Sequence, residues 1–188
     1  KNKNDDAGQA AIYNVLSIIN NTQGKYKKAR NNSEKALEIQ INLNNKLKEA
    51  KFRTNYANAL NSLGLADKAI EQNKIAIKIK EDLEEFKSIC LSYAVLANTY
   101  YAKRDFSQAK AYAIKSLGYS RKYSMSNIEG RVLVVLSDIL MQCGNYEEMN
   151  KYLDDAEIII LSFNDSFLIG KLEFLKVQYF LSKKDFDK

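Results

Sequence analysis

The sequence predicts an all-α solenoid of antiparallel helical hairpins, about nine helices in a single run of repeats. Two observations carry this prediction. The first is a 40-residue period kept without an insertion: Ala29, Ala69 and Ala109 stand 40 apart, with Met149 in the next place. Parallel columns share its register. One is Ala36, Ala76, Ser116 and Ala156, and another is Ala10, Ala50, Cys90, Gly130 and Gly170. A turn column runs Gly24, Gly64 and Gly144, with Arg104 and Lys184 as exceptions. An aromatic column runs Tyr26, Phe106, Tyr146 and Phe186, with Ala66 in its second slot. The second observation is the spacing of apolar residues inside each unit. Ile12, Tyr13, Leu16 and Ile19 fall on one helical face, and after Gly24 a second stripe follows at Tyr26, Ala29, Ser33, Ala36 and Leu37.

Each unit therefore reads as helix, tight turn, helix, with glycine as the left-handed cap that ends the first helix. Helices are expected near 7–22, 26–44, 47–63, 66–84, 87–103, 106–123, 127–143, 146–163 and 166–183. They make one repeat domain over 1–188, with units 10–49, 50–89, 90–129 and 130–169 and an incomplete fifth at 170–188. Small residues belong where two helix backbones approach closely, so Cys90 is expected to be a packed thiol and Gly130 and Gly170 packing glycines. The aromatic that opens each second helix is expected to plug the space beside the turn. Leu43, Leu83, Tyr123 and Phe163 form a further apolar column at the end of each unit.

Composition excludes several classes of function. The chain has 188 residues, no His, no Pro and no Trp, so no His-based triad, general base or metal site can be built. Its 7 Gly are scattered and form no phosphate-cradling loop. Two Cys, Cys90 and Cys143, are too few for a disulfide scaffold. Carboxylate pairs such as Glu84-Glu85 and Asp154-Asp155 are adjacent on a helix and point in different directions, so they read as solvated faces. The longest apolar run, Ile158-Ile159-Ile160-Leu161, is far below the ~20 residues that span a bilayer. A net charge of +6 reads as compositional bias, because the basic residues are interleaved with 23 acidic ones. No enzyme activity, cofactor, metal or membrane insertion is expected.

The repeated residues resemble the tetratricopeptide repeat family. The likeness rests on Leu16-Ser17, Gly24-Lys25-Tyr26, Ala29 and Ala36 in the first unit. It recurs as Leu96-Ala97, Tyr100, Phe106 and Ala109 in the third and as Leu136-Ser137, Gly144-Asn145-Tyr146 and Ala156 in the fourth. The period departs from the family's usual 34, and the usual Pro after the second helix is absent. The resemblance implies a right-handed superhelix whose first helices line a concave, ligand-binding face. Carried over by register, the second positions are Ala11, Lys51, Leu91, Arg131 and Lys171, and the fifth are Asn14, Thr54, Ala94, Val134 and Phe174. The ninth are Ile18, Asn58, Asn98, Asp138 and Gln178, and the twelfth are Asn21, Asn61, Tyr101, Met141 and Leu181. Among these, Asn14, Lys51, Thr54, Asn58, Asn61, Asn98, Tyr101, Arg131 and Asp138 are the candidate peptide contacts. Asn58 and Asn98 are equivalent on neighbouring units, and an amide can grip a peptide backbone through donor and acceptor together. Lys51, Arg131 and Lys171 would favour an acidic ligand.

The function this implies is a protein- or peptide-binding scaffold, cytoplasmic, or periplasmic if a signal peptide was removed. The alternative is a sensory input module of a bacterial signalling protein, a kinase or transcription regulator. RNA binding ranks third, because only Tyr101 and Phe174 offer stacking rings at groove positions. At the end of the chain, Lys184-Asp185-Phe186 match the turn and aromatic that open a second helix in earlier units. The last helix is strongly apolar, and Phe167, Leu168, Phe174 and Leu181 are its expected interface residues. The chain is therefore expected to be a fragment that continues beyond Lys188, and on its own to form a homodimer through that helix.

Overall fold

A computed structural model describes residues 3–186 of the chain, with side chains described over 5–183. Among the described residues there are nine helices and no strand: α1 (Lys3–Thr22), α2 (Tyr26–Asn42), α3 (Lys46–Ser62), α4 (Ala66–Asp82), α5 (Phe86–Ala102), α6 (Phe106–Lys122), α7 (Ser126–Gln142), α8 (Tyr146–Phe163) and α9 (Ser166–Phe186). The expected hairpins form, in the expected register. The period is finer than the sequence columns suggested. Helices α2 through α7 are each 17 residues long. One residue in every 20 turns left-handed: Gly24, Asn44, Gly64, Glu84, Arg104, Ser124, Gly144 and Asn164, with φ between 51° and 75°.

After seven of these residues the next N–H reaches back to the carbonyl five positions earlier, from Lys25 to Asn20 at 2.8 Å through Asn145 to Leu140 at 2.9 Å. This is the Schellman cap. Glycine occupies three of the eight left-handed positions and supplies them at no steric cost. Glu84, Arg104 and Ser124 hold the same conformation against a penalty of about 1–2 kcal/mol, offset by the helix that packs back after each turn. The register would put a ninth turn at Lys184. Instead α9 continues through Lys184, Asp185 and Phe186. Asp187 and Lys188 lie outside the described residues.

Consecutive helices pack antiparallel. Odd-numbered helices also touch the next odd one, α1 to α3 and onward to α9, whereas no two even-numbered helices meet. The odd helices are thus the inner, crowded layer of a curved array, and the even helices are splayed outside. The small columns make that crowding possible. Ala29, Ala69 and Ala109, Ala36, Ala76 and Ala156, and Ala10, Ala50 and Cys90 are all fully buried. A Cβ on Gly130 would stand 3.1 Å from Ile159, so that glycine is a packing residue as expected. Gly170 is not: it is exposed, and a Cβ added there would meet nothing within 4 Å. Two other expectations fail in part. Tyr26 is 42% exposed and plugs little, and in the unit-end column Leu83 and Phe163 face solvent, because these residues cap helix ends instead of entering the core.

The core changes character along the array. From Cys90 to Leu175 one continuous apolar cluster fills the space between helices. The Cys90 thiol sits inside it, donates to the Lys87 carbonyl, and is pushed above its ordinary pKa by burial. The first two units carry small apolar clusters and a polar interior. Lys80 is 2% exposed. Its Nζ donates to Ser92 Oγ at 2.7 Å and to Thr54 Oγ1 and the Ser88 carbonyl at 3.1 Å, all neutral acceptors. Burial pulls its pKa down to about 8, and the nearby Lys51 charge adds to the effect. At the equivalent place in the first unit, both amide atoms of buried Gln40 lack a partner. The next two units place Ser120 and Ile160 there.

Two measurements follow. Ala109→Leu should lower unfolding free energy in urea by about 1–3 kcal/mol through overpacking, whereas Ala111→Leu, one helical face away and exposed, should change it little. For Lys80, the unfolded chain keeps its proton up to about pH 10.5 while the folded chain releases it near 8. The folded state therefore carries the burial cost in full below pH 8 and gains stability as pH rises toward 10. The stability difference between Lys80→Met and the parent, followed by urea unfolding from pH 7 to 10, should shrink by about 2–3 kcal/mol. A pH-independent difference would refute the assignment.

Candidate functional site

The inner layer presents side chains of α1, α3, α5, α7 and α9 to one concave surface. Two clefts lie on it. The first, about 150 Å3, lies between α3, α5 and α7 and is lined by residues that include Asn58, Leu91, Val95, Asn98, Arg131 and Val132. The second, about 730 Å3, runs from Asn21 and Thr22 on α1 across Asn98, Arg131 and Val134 to Phe167 and Lys171 on α9. Asn98 and Arg131 line both, so the clefts form one continuous groove.

The sequence-predicted residues divide by what their polar atoms already do. Asn58 and Asn98 sit side by side on α3 and α5, exposed, and neither side-chain amide bonds to any described residue. Arg131 has five N–H donors and makes one long contact, 3.4 Å to Asp165. These three groups are unspent. Asn14 and Thr54 are not: Asn14 Oδ1 accepts from Asn55 at 2.7 Å, and buried Thr54 shares its hydroxyl with Ser92 and Lys80. Asp138 is buried and paired with Lys171 at 2.8 Å. Tyr101 donates to Asp138, and burial, followed by that carboxylate, pushes the phenol up to about 12. Asn61 has an occluded, unpartnered Oδ1 and lines neither cleft, and Lys51 is exposed outside both.

Sequence reasoning missed the wall between α5 and α7. Ala94 and Ala97 leave room there beside Val95, Ile128, Val132 and Val135. The equivalents of Ala94 and Ala97 in the next unit are Val134 and Ser137, so a comparison of side-chain size across units was the available signal. At the end of the array Phe167 is 80%, Phe174 49% and Leu181 52% exposed, while Leu168 packs against the main core and is half-buried.

A tetratricopeptide repeat family model matches residues 10–40. Among solved structures, a Rap protein complexed with Competence and Sporulation Factor superposes with a TM-score of 0.81 at 16% identity, covering 88% of this chain and 46% of that one. Residues 10–40 are thus similar to a tetratricopeptide repeat, and the chain as a whole shares the helical-repeat fold of the superposed structure. Aspartyl phosphate phosphatase F from Bacillus subtilis gives a TM-score of 0.80 at 14% identity, over 98% of this chain and 49% of that one. The nearly identical TPR-like repeats of a Podosopora anserina putative kinesin light chain give 0.68 at 14%, over 97% and 98%. The chain spans about half the length of the first two structures. No curated protein matches the sequence. These likenesses establish the right-handed helical-repeat fold; among the described residues no helix is long and apolar enough to cross a membrane.

A prediction follows from the paired acid. Asp138→Asn should return the Tyr101 phenol toward its ordinary value near 10, seen as an earlier step in the 295 nm tyrosinate titration. An unchanged titration would show that burial alone holds Tyr101.

Proposed function

We propose that this chain is a non-catalytic scaffold that holds an extended segment of another protein in its concave groove. One observation carries the reading: Asn58, Asn98 and Arg131 converge on a single cleft with their hydrogen-bonding groups unspent. An extended peptide brings unpaired N–H and C=O groups at a regular rise, and two amides on neighbouring helices can pair with them. Arg131 at the rim favours an acidic segment. A solved structure of the same fold holds a bound factor, which supports this use of it.

A second reading, a sensory input module whose curvature changes on binding, is favoured by one feature. Every buried, unpaired side-chain N or O atom among the described residues falls between Asn21 and Asn73. The first two units are thus less tightly held than the rest. We also assign the exposed apolar face of α9 to a second copy of the chain.

Asn58→Ala should weaken binding of a captured peptide by about 0.5–1.5 kcal/mol in calorimetry, the net worth of one hydrogen bond. Equal affinities for parent and variant would exclude the amide pair. Light scattering should show self-association that Phe174→Ser with Leu181→Ser weakens; a monomer at high concentration would remove the second-copy assignment.

A further inference from the structure

The first cleft of the groove has an apolar side, a hole between α5 and α7. Its walls are Leu91, Ala94 and Val95 from α5 and Ile128, Val132 and Val135 from α7. Val95, Val132 and Ile128 are themselves buried, at 5%, 2% and 8% exposure, so the walls are set in the core. The volume is about 150 Å3. The cleft opens to solvent and its lining is mixed, apolar walls with the polar side chains of Thr54, Asn55, Asn58, Asn98 and Arg131, and its volume matches a benzene-sized guest. It arises because α5 carries Ala94 and Ala97 where α7 carries Val134 and Ser137. Polar groups stand at the rim, including Asn58, Asn98 and Arg131.

The rim carries two ion pairs, Asp138 with Lys171 and Asp165 with Arg131. Its nearest acids are engaged: Asp138 with Lys171 and Tyr101, and Asp165 as the acceptor for the Leu168 N–H that starts α9. Lys171 is held by Asp138. Arg131 is 65% exposed and touches Asp165 alone, at 3.4 Å. Arg131 thus keeps donors to spare beside one long ion pair, and a planar guanidinium with spare donors suits a carboxylate.

We propose that the groove selects its ligand by one apolar side chain, branched aliphatic or phenyl, that enters the α5–α7 hole, next to an acidic residue that pairs with Arg131. This rests on the groove reading above and adds sequence selectivity to it. An indole is too large for the hole, and a lysine beside the anchor would meet Arg131. An oligonucleotide offers the anion but no aliphatic group for the hole.

The test uses fluorescein-labelled nonapeptides on a Ser/Ala background, each with one Leu and one Asp at varied separation, and fluorescence anisotropy with the full chain. One separation should bind tightest. Replacing Leu by Ala in that peptide should cost at least about tenfold in affinity, and replacing Asp by Asn about tenfold. Arg131→Gln, at an exposed position, should erase the Asp preference and keep the Leu preference. Ala94→Leu, which fills the hole, should erase the Leu preference and keep the Asp preference; circular dichroism melts check that both variants fold. If peptides bind, and Asn58→Ala weakens them, yet Leu and Asp make no difference, the groove reading stands and the anchor proposal fails. A preference for Lys-bearing peptides, or for a single-stranded oligonucleotide, likewise overturns it. If neither these peptides nor a random nonapeptide mixture binds, the groove reading itself falls.

Discussion

The close approach of helix backbones at the small-residue columns governs the rest of the molecule. Ala29, Ala69 and Ala109, and their neighbours at Ala36, Ala76 and Ala156, have no accessible surface at all. A larger side chain at any of them would push two helices apart, because interiors at near-crystalline density have no slack to absorb it. Tight pairing fixes the hairpin geometry, and equal 17-residue helices with identical caps repeat that geometry without drift. Curvature then follows. The inner helices touch one another and the outer ones do not, so the array bends and a groove opens on the inner side.

The same backbone supports two kinds of core. At one repeated position the residues run Gln40, Lys80, Ser120 and Ile160, from polar to apolar along the chain. Lys80 satisfies its three donors with hydroxyls and a carbonyl, which avoids an orphaned charge but leaves it uncompensated by any carboxylate. A buried cation of that kind costs more than a hydrocarbon of the same shape. Gln40 lacks even neutral partners. The units from Cys90 onward share one continuous apolar cluster, whereas the first two units hold smaller clusters around a polar interior.

Hydrogen-bond accounting separates structural polar residues from available ones. Thr54, Asn14 and Asp138 occupy groove positions by register, yet each is committed to a protein partner. Asn58 and Asn98 also occupy groove positions and are not committed, and Arg131 has one long bond to Asp165 and donors to spare. The difference lies in what stands across from them: Thr54 meets Ser92 and Lys80, while Asn58 and Asn98 look into open groove. A position in a repeat names the face of a helix, and the neighbouring helix sets whether that face is free.

The fold was legible in the sequence because it is local and periodic. Columns at a spacing of 40, helical apolar stripes and three turn glycines specify each hairpin, and the hairpin specifies the array. Five of the eight left-handed turns carried no glycine, so half of the 20-residue period was hidden until packing showed it. At the end of the array α9 runs through Lys184, Asp185 and Phe186, where the register had placed a turn. Groove positions could be numbered from the register, but the hole between α5 and α7, the sequestered Lys80 and the spare donors of Arg131 could not. Each depends on the sizes and partners of side chains from different helices, such as Thr54 and Ser92 around Lys80 or Asp165 beside Arg131, which are neighbours only after the helices stack.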